Sequence, residues 1–183
     1  MGKFISQILF VEAAFMLPAL LISVLERNIP GIWGFALSIV ITATVASVLY
    51  VLCRHAVRRF YAREGLVCVG MSWIFMSLLG CLPFFISGEI PNFLDALFEI
   101  VSGFTTTGAS VLSNVEGLSK GILYWRSFSH WLGGMGVLVF LLAVGERGDK
   151  GSGFTLHLLR AESPGPTVGK LVPKMRTTAR ILY

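Results

Sequence analysis

The stretch Phe104-Thr105-Thr106-Thr107-Gly108-Ala109-Ser110 carries four hydroxyls, one glycine and no charge in seven residues. Such a segment can offer a cation a row of backbone carbonyls in place of its water. Threonine hydroxyls add oxygen ligands where the ion sheds its shell. Gly108 allows backbone angles that turn successive carbonyls toward one axis. Upstream, Asp95 and Glu99 stand four apart, on one face of any helix that holds them. A two-carboxylate metal site on a helix would use ExxH partners, and the sequence has none. The role expected of Asp95 and Glu99 is therefore support: hydrogen bonds to the loop backbone, or attraction of cations toward its mouth. No catalytic motif such as HExxH or GxSxG is present, and GERGDKGSGF at 145–154 departs from a phosphate-binding loop. Nothing in the sequence implies a cofactor or covalent chemistry.

The element that must position these residues is short. Pro91 and Asn92 mark a helix start, since proline fits the first turn and asparagine is a good N-cap. The run Phe93 to Ser102 then has apolar residues at helical spacing, and Gly103 comes next. Ten helical residues reach about 15 Å, half the hydrocarbon thickness of a bilayer. Two readings fit. One is a re-entrant loop, whose helix enters from outside with its partially negative C-terminus pointing inward to favour a cation. The other is an interfacial helix ended by Gly103 and followed by an ordinary outer loop. The position between two spanning segments favours the first, because non-helical backbone survives at membrane depth only inside protein or along a water-filled cavity.

Composition sets that membrane context. Of 183 residues, 55% are apolar and 14% charged, with a mean hydropathy of +0.77. Soluble domains carry about 25% charge, so a soluble or disordered chain is excluded. Apolar runs at Phe4–Leu25, Ile32–Leu52, Gly65–Ile86 and Ser127–Val144 are expected to span, the first broken by Glu12 and Pro18. Net charge is +5, and twelve of the fifteen basic residues fall at the N-terminus, between spans two and three, or after span four. Four spans put those regions on one side, which the positive-inside rule makes cytoplasmic. The basic residues then face anionic lipid, and no nucleic acid partner is expected.

The order DALFEIVSGFTTTGASV, then WRSFSHWLGGMGVLVFLLAV, then ESPGPTVGKLVPKMRTTARILY resembles the Trk/Ktr/HKT superfamily of potassium transporters, Trk type. The resemblance covers the chain from about Arg63 and is most specific from Asp95 to Val139. It implies an all-α membrane protein: two leading transmembrane helices, then one helix–re-entrant pore loop–helix repeat of a pseudo-fourfold cation pore. The corresponding divisions are a leading helix pair at 1–55, a basic cytoplasmic loop at 56–64, the repeat at 65–145 and a cytoplasmic linker at 146–183. By the same resemblance, Thr106, Thr107, Gly108, Ala109 and Ser110 line one quarter of a selectivity filter. Thr105 sits at its cytoplasmic approach, and potassium contacts Thr106 to Ala109. Four filter segments cannot come from one repeat, so the chain is expected to be the N-terminal portion of a longer protein. The implied cargo is potassium and the implied place a bacterial cell membrane, N-terminus cytoplasmic. The implied partners are a second copy and a cytoplasmic nucleotide-binding regulatory subunit. Flux could be channel-like or symport. The rivals are a homotetrameric cation channel and a membrane enzyme or assembly subunit with a partner-binding outer loop.

Other residues have plainer readings. Glu12 is expected to face a neighbouring helix, and His130 to be a packed polar side chain one turn from Arg126. Gly133, Gly134 and Gly136 form a smooth patch for close packing. Cys53, Cys68 and Cys81 are expected to be buried apolar residues, with no metal spacing.

Overall fold

The computed structural model describes residues 2–54 and 62–134, apart from the side chains of 62–66. Span four beyond Gly134, the tail with its linker, and most of the basic loop at 56–64 lie outside those residues, although helix already begins at Ala62. All described regular structure is helical: α1 Gly2–Leu25, α2 Ile29–Cys53, α3 Ala62–Gly80, α4 Leu82–Ile86, α5 Phe93–Phe104 and α6 Lys120–Gly134. Among the described residues, three stretches are long and apolar enough to cross a membrane: Gly2–Leu25, Ile29–Cys53 and Val67–Ile86.

The helix α1 is continuous through both Glu12 and Pro18, the two residues that break its apolar run. Pro18 removes one backbone hydrogen bond, a loss that membrane helices tolerate. Glu12 turns inward and is 1% exposed. A tight turn, Glu26-Arg27-Asn28, leads to α2, where the Asn28 side chain caps by accepting from the Gly31 N–H at 3.4 Å. The two helices lie side by side, tied by Ser6 Oγ donating to the Ala46 carbonyl at 2.8 Å. Their outward faces carry Leu17, Leu21, Trp33, Leu37 and Val40, all exposed.

The third expected span is interrupted at Cys81, where α3 ends and α4 begins. Pro83 is the cause: it lacks the N–H that would continue the ladder. The Phe84 N–H bonds instead to the Cys81 carbonyl at 3.1 Å. Trp125 Nε1, on α6, takes up the Gly80 carbonyl at the break, at 2.9 Å.

Two acidic side chains hold the start of α6. Glu89 Oε2 accepts from the Ser119 N–H at 2.9 Å, and Glu26 Oε2 from the Lys120 N–H at 3.0 Å. Carboxylates suit this end because its amides are unpaired and its dipole is positive. Glu89 Oε1 also accepts from Asn28 Nδ2 at 3.2 Å, so the α1–α2 turn, the loop before α5 and the head of α6 form one clasp. Glycines set the depth of packing below it. A Cβ on Gly121 would strike Ser23 of α1, and a Cβ on Gly34 of α2 would lie 3.0 Å from Ser87. The core runs through Phe35, Met76, Phe84, Ile100, Ile122 and Trp125.

Candidate functional site

The helix α5 starts where Pro91-Asn92 places it, with Asn92 Oδ1 accepting from the Leu94 N–H at 3.0 Å. One face buries Ala96, Glu99, Ile100, Ser102, Gly103 and Phe104, while Leu94, Phe98 and Val101 remain exposed. Its 12 residues give a rod of about 18 Å, still too short to cross a bilayer.

The helix runs through Gly103 rather than ending there, and stops one residue later, at Phe104, in a Schellman cap. The Thr106 N–H donates to the Gly103 carbonyl at 2.9 Å, and the Thr107 N–H to the Ser102 carbonyl at 3.0 Å. This cap needs a residue in the left-handed region, and Thr106 occupies it with φ +56°. Glycine is usual there, and for a β-branched residue the angle is a genuine outlier costing about 1–2 kcal/mol. Arg27 takes the same place at the end of α1, at φ +54°, without β-branching. Gly108 has φ +73°, so two residues of positive φ flank Thr107.

Hydroxyls bind this turn to its own backbone. Thr105 Oγ1 donates to the Val101 carbonyl at 2.8 Å and lies 2.8 Å from Thr107 Oγ1. Thr106 Oγ1 donates to the Thr105 carbonyl at 2.7 Å. Ser102 Oγ, buried on α5, donates to the Ala109 carbonyl at 2.6 Å. Residues 105–110 are nonetheless all exposed on the isolated chain. The loop is held firmly from one side and open on the other.

Glu99 is the centre of the fixed side. Its Oε1 accepts from Ser110 Oγ at 2.5 Å and from the Val111 N–H at 2.8 Å, and its Oε2 accepts from Arg126 Nε at 2.9 Å. Burial alone would push this carboxyl up. The hydrogen bonds from Ser110, Arg126 and Val111, with the Arg126 charge, hold it below the usual carboxylate range. Asp95 is only half-buried in the first turn and stands outside this network. The two carboxylates on one helix face therefore differ: Glu99 braces the loop, and Asp95 does not. Among the described residues no group of three metal-ligating side chains occurs.

The loop's rear wall is α6. A Cβ on Gly133 would collide with the backbone of Phe104, and a Cβ on Gly103 with Ser129 Oγ. A Cβ on Gly134 would lie 3.6 Å from the Thr106 methyl. The glycine patch is thus a close-approach surface for the end of α5, as far as Gly134. Gly136 lies outside the described residues. Glu12 lies on another side of α5, where its Oε1 is 2.8 Å from a Cβ built on Gly80, beside Ile100 and Phe104. Neither Glu12 oxygen has a hydrogen-bond partner among the described residues.

The sequence matches the family model of TrkH, described as cation transport protein, over residues 33–183. This chain belongs to that family. It is 34% identical over 99% of its length to the Trk system potassium uptake protein TrkH of Halomonas elongata, covering 37% of that protein. It is 33% identical over 92% of its length to the Trk system potassium uptake protein TrkG of Escherichia coli, covering 34% of it. Half of the chain, 51%, matches an uncharacterized cation transporter of Methanocaldococcus jannaschii at 39% identity. The chain thus spans about a third of the length of the Trk proteins it matches. TrkH-family proteins are transporters, which removes the membrane-enzyme rival.

Three features of this TrkH-family site are not apparent from the sequence: Ser102, Ser129 and the pairing of Arg126 with Glu99. A signal for the last was present. An arginine near a membrane segment needs a counter-charge, and Asp95 and Glu99 were the two candidate acids on the short helix before it.

Proposed function

We propose that this chain supplies one wall of a potassium pore in the uptake of potassium across a bacterial cell membrane. The observation that carries the reading is the braced loop. A half-membrane helix ends in a strained cap, Glu99 and Ser102 hold the segment beyond it, and Thr105 to Ser110 face outward without charge. The carbonyls of Thr106, Thr107, Gly108 and Ala109 are the principal ion ligands, the last steadied by Ser102 Oγ through one of its two lone pairs. Thr105 forms the inner approach, and Ala109 and Ser110 the outer lip. Potassium sheds water on entering and is held by oxygens whose positions the cap and Glu99 fix, so little reorganisation is needed.

The names of the relatives, both potassium uptake proteins, support potassium as the cargo. Within this reading, 1–55 is a leading helix pair, 65–145 the repeat containing the re-entrant loop, and 146–183 a cytoplasmic linker. The N-terminus is cytoplasmic, and the remaining filter walls come from further repeats. The complex is a homodimer with a cytoplasmic nucleotide-binding subunit.

Gly108→Ser in the full-length transporter tests this. A side chain at φ +73° is strained, so the adjacent carbonyls must turn. We expect normal insertion, weaker potassium-dependent growth and relatively more sodium entry. Unchanged uptake and ion preference at matched expression would refute the filter.

A further inference from the structure

Serine inside a helix commonly returns its hydroxyl to the carbonyl four residues back. In this chain Ser23, Ser38, Ser47 and Ser72 do so, donating to Ala19, Gly34, Ala43 and Cys68. Ser102, in the last turn of α5, does not. It is 4% exposed, and its Oγ donates forward, past the end of the helix, to the Ala109 carbonyl at 2.6 Å. Its own carbonyl accepts from the Thr107 N–H at 3.0 Å and from the Gly108 N–H at 3.4 Å. One residue thus holds three consecutive residues of the loop.

These bonds set directions. In a trans peptide the carbonyl of one residue points opposite to the N–H of the next. With the N–H groups of Thr107 and Gly108 drawn to Ser102, the carbonyls of Thr106 and Thr107 turn away from α5, toward the open side of the loop. The hydroxyl acts differently. It occupies one lone pair of the Ala109 oxygen and sets a partially positive hydrogen beside it. That fixes the oxygen in place and weakens its pull on a cation. Both effects favour the larger potassium ion, because sodium needs oxygens that draw in closer and act with a stronger field.

We propose that Ser102 is a positioning residue that determines ion preference: its hydroxyl, acting through the Ala109 carbonyl, disfavours sodium. The proposal rests on the filter reading above, and it gives the hydroxyl an effect on ion choice beyond any effect on folding. Without that hydrogen bond the Ala109 oxygen is free to close on a smaller ion with both lone pairs. The loss of one neutral hydrogen bond corresponds to about a fivefold change in an equilibrium.

The experiment is rubidium flux through the full-length transporter in lipid vesicles, with sodium as competitor and protein amounts matched. Ser102→Ala keeps the backbone carbonyl with its two bonds and removes only the hydroxyl. Sodium should then compete about fivefold better than in the wild type. Ser102→Thr, which retains the donor, should restore the wild-type preference. Ser102→Cys, a weaker donor of similar size, should fall between them, and it serves if either of the other variants does not accumulate. A role in packing alone would lower the yield of folded protein and slow both ions alike, with the preference intact. That result, or a threonine variant as sensitive to sodium as the alanine variant, would overturn the proposal. Gly108→Ser in the same vesicles separates the two readings. If it alters the preference while Ser102→Ala does not, the filter stands and this role of Ser102 does not. If neither alters it, the filter itself is wrong.

Discussion

Arg126 donates from Nε to Glu99 Oε2 at 2.9 Å, with the Glu99 side chain fully shielded and the Arg126 side chain 16% exposed. The pair joins α6 to α5, 27 residues apart in sequence. Because the other Glu99 oxygen accepts from Ser110 and Val111, the guanidinium fixes the outer end of the loop through one intermediary.

Breaking that pair from the arginine side should be the costlier choice. Arg126→Leu leaves a buried carboxylate without its charge partner, a loss of about 3–5 kcal/mol. Glu99→Gln keeps an acceptor for the Val111 N–H and should cost less, about 2 kcal/mol. Thermal unfolding of both purified variants in detergent checks the order.

The acid side of the stability profile should carry the same signature. A carboxylate whose folded value is depressed contributes fully above its unfolded value, near about 4.3 for glutamate. The contribution is lost as pH falls through the folded value below that. Wild-type Tm should therefore drop more steeply than that of Glu99→Gln as the pH is lowered beneath the ordinary carboxylate range. Parallel curves would mean that Glu99 does not hold its charge.

Thr106→Gly should be neutral or stabilising, by up to about 1 kcal/mol, because it removes a β-branched residue from the left-handed region. Thr107→Gly, at a neighbouring position without positive φ, should destabilise. Tm of the two variants decides whether the strain at Thr106 is real.

Two glycines give opposite expectations for alanine. At Gly133 a Cβ meets the Phe104 backbone, so Gly133→Ala should lower yield and cost about 1–3 kcal/mol. At Gly70, on α3, nothing lies within 4 Å, so Gly70→Ala should be neutral or better. Membrane-inserted yield and Tm are the readouts.

Much of this arrangement was legible because membrane thickness fixes span length and Pro91-Asn92 fixes where α5 begins. The uncharged Thr-Thr-Thr-Gly run identified the loop. The features that escaped were set by tertiary contact. Gly103 reads locally as a helix stop, but it is a helical residue kept small so that Ser129 can approach. Pro18 and Glu12 interrupt the apolar run of α1, yet the helix is continuous through both, with Glu12 buried against its neighbours and Pro18 on an exposed face. Pro83, whose effect is local, did interrupt the third span, and only the partner for the Gly80 carbonyl needed the fold to reveal it. Thr106 is the clearest case, since local preference favours glycine there and the cap bonds override it.

Thallium, a potassium mimic with strong anomalous scattering, offers the most direct measurement. A crystal of the full-length transporter soaked in a thallium salt should show an anomalous peak coordinated by carbonyls of Thr106, Thr107, Gly108 and Ala109. Full occupancy elsewhere in the molecule, with no peak against these carbonyls, would contradict the account.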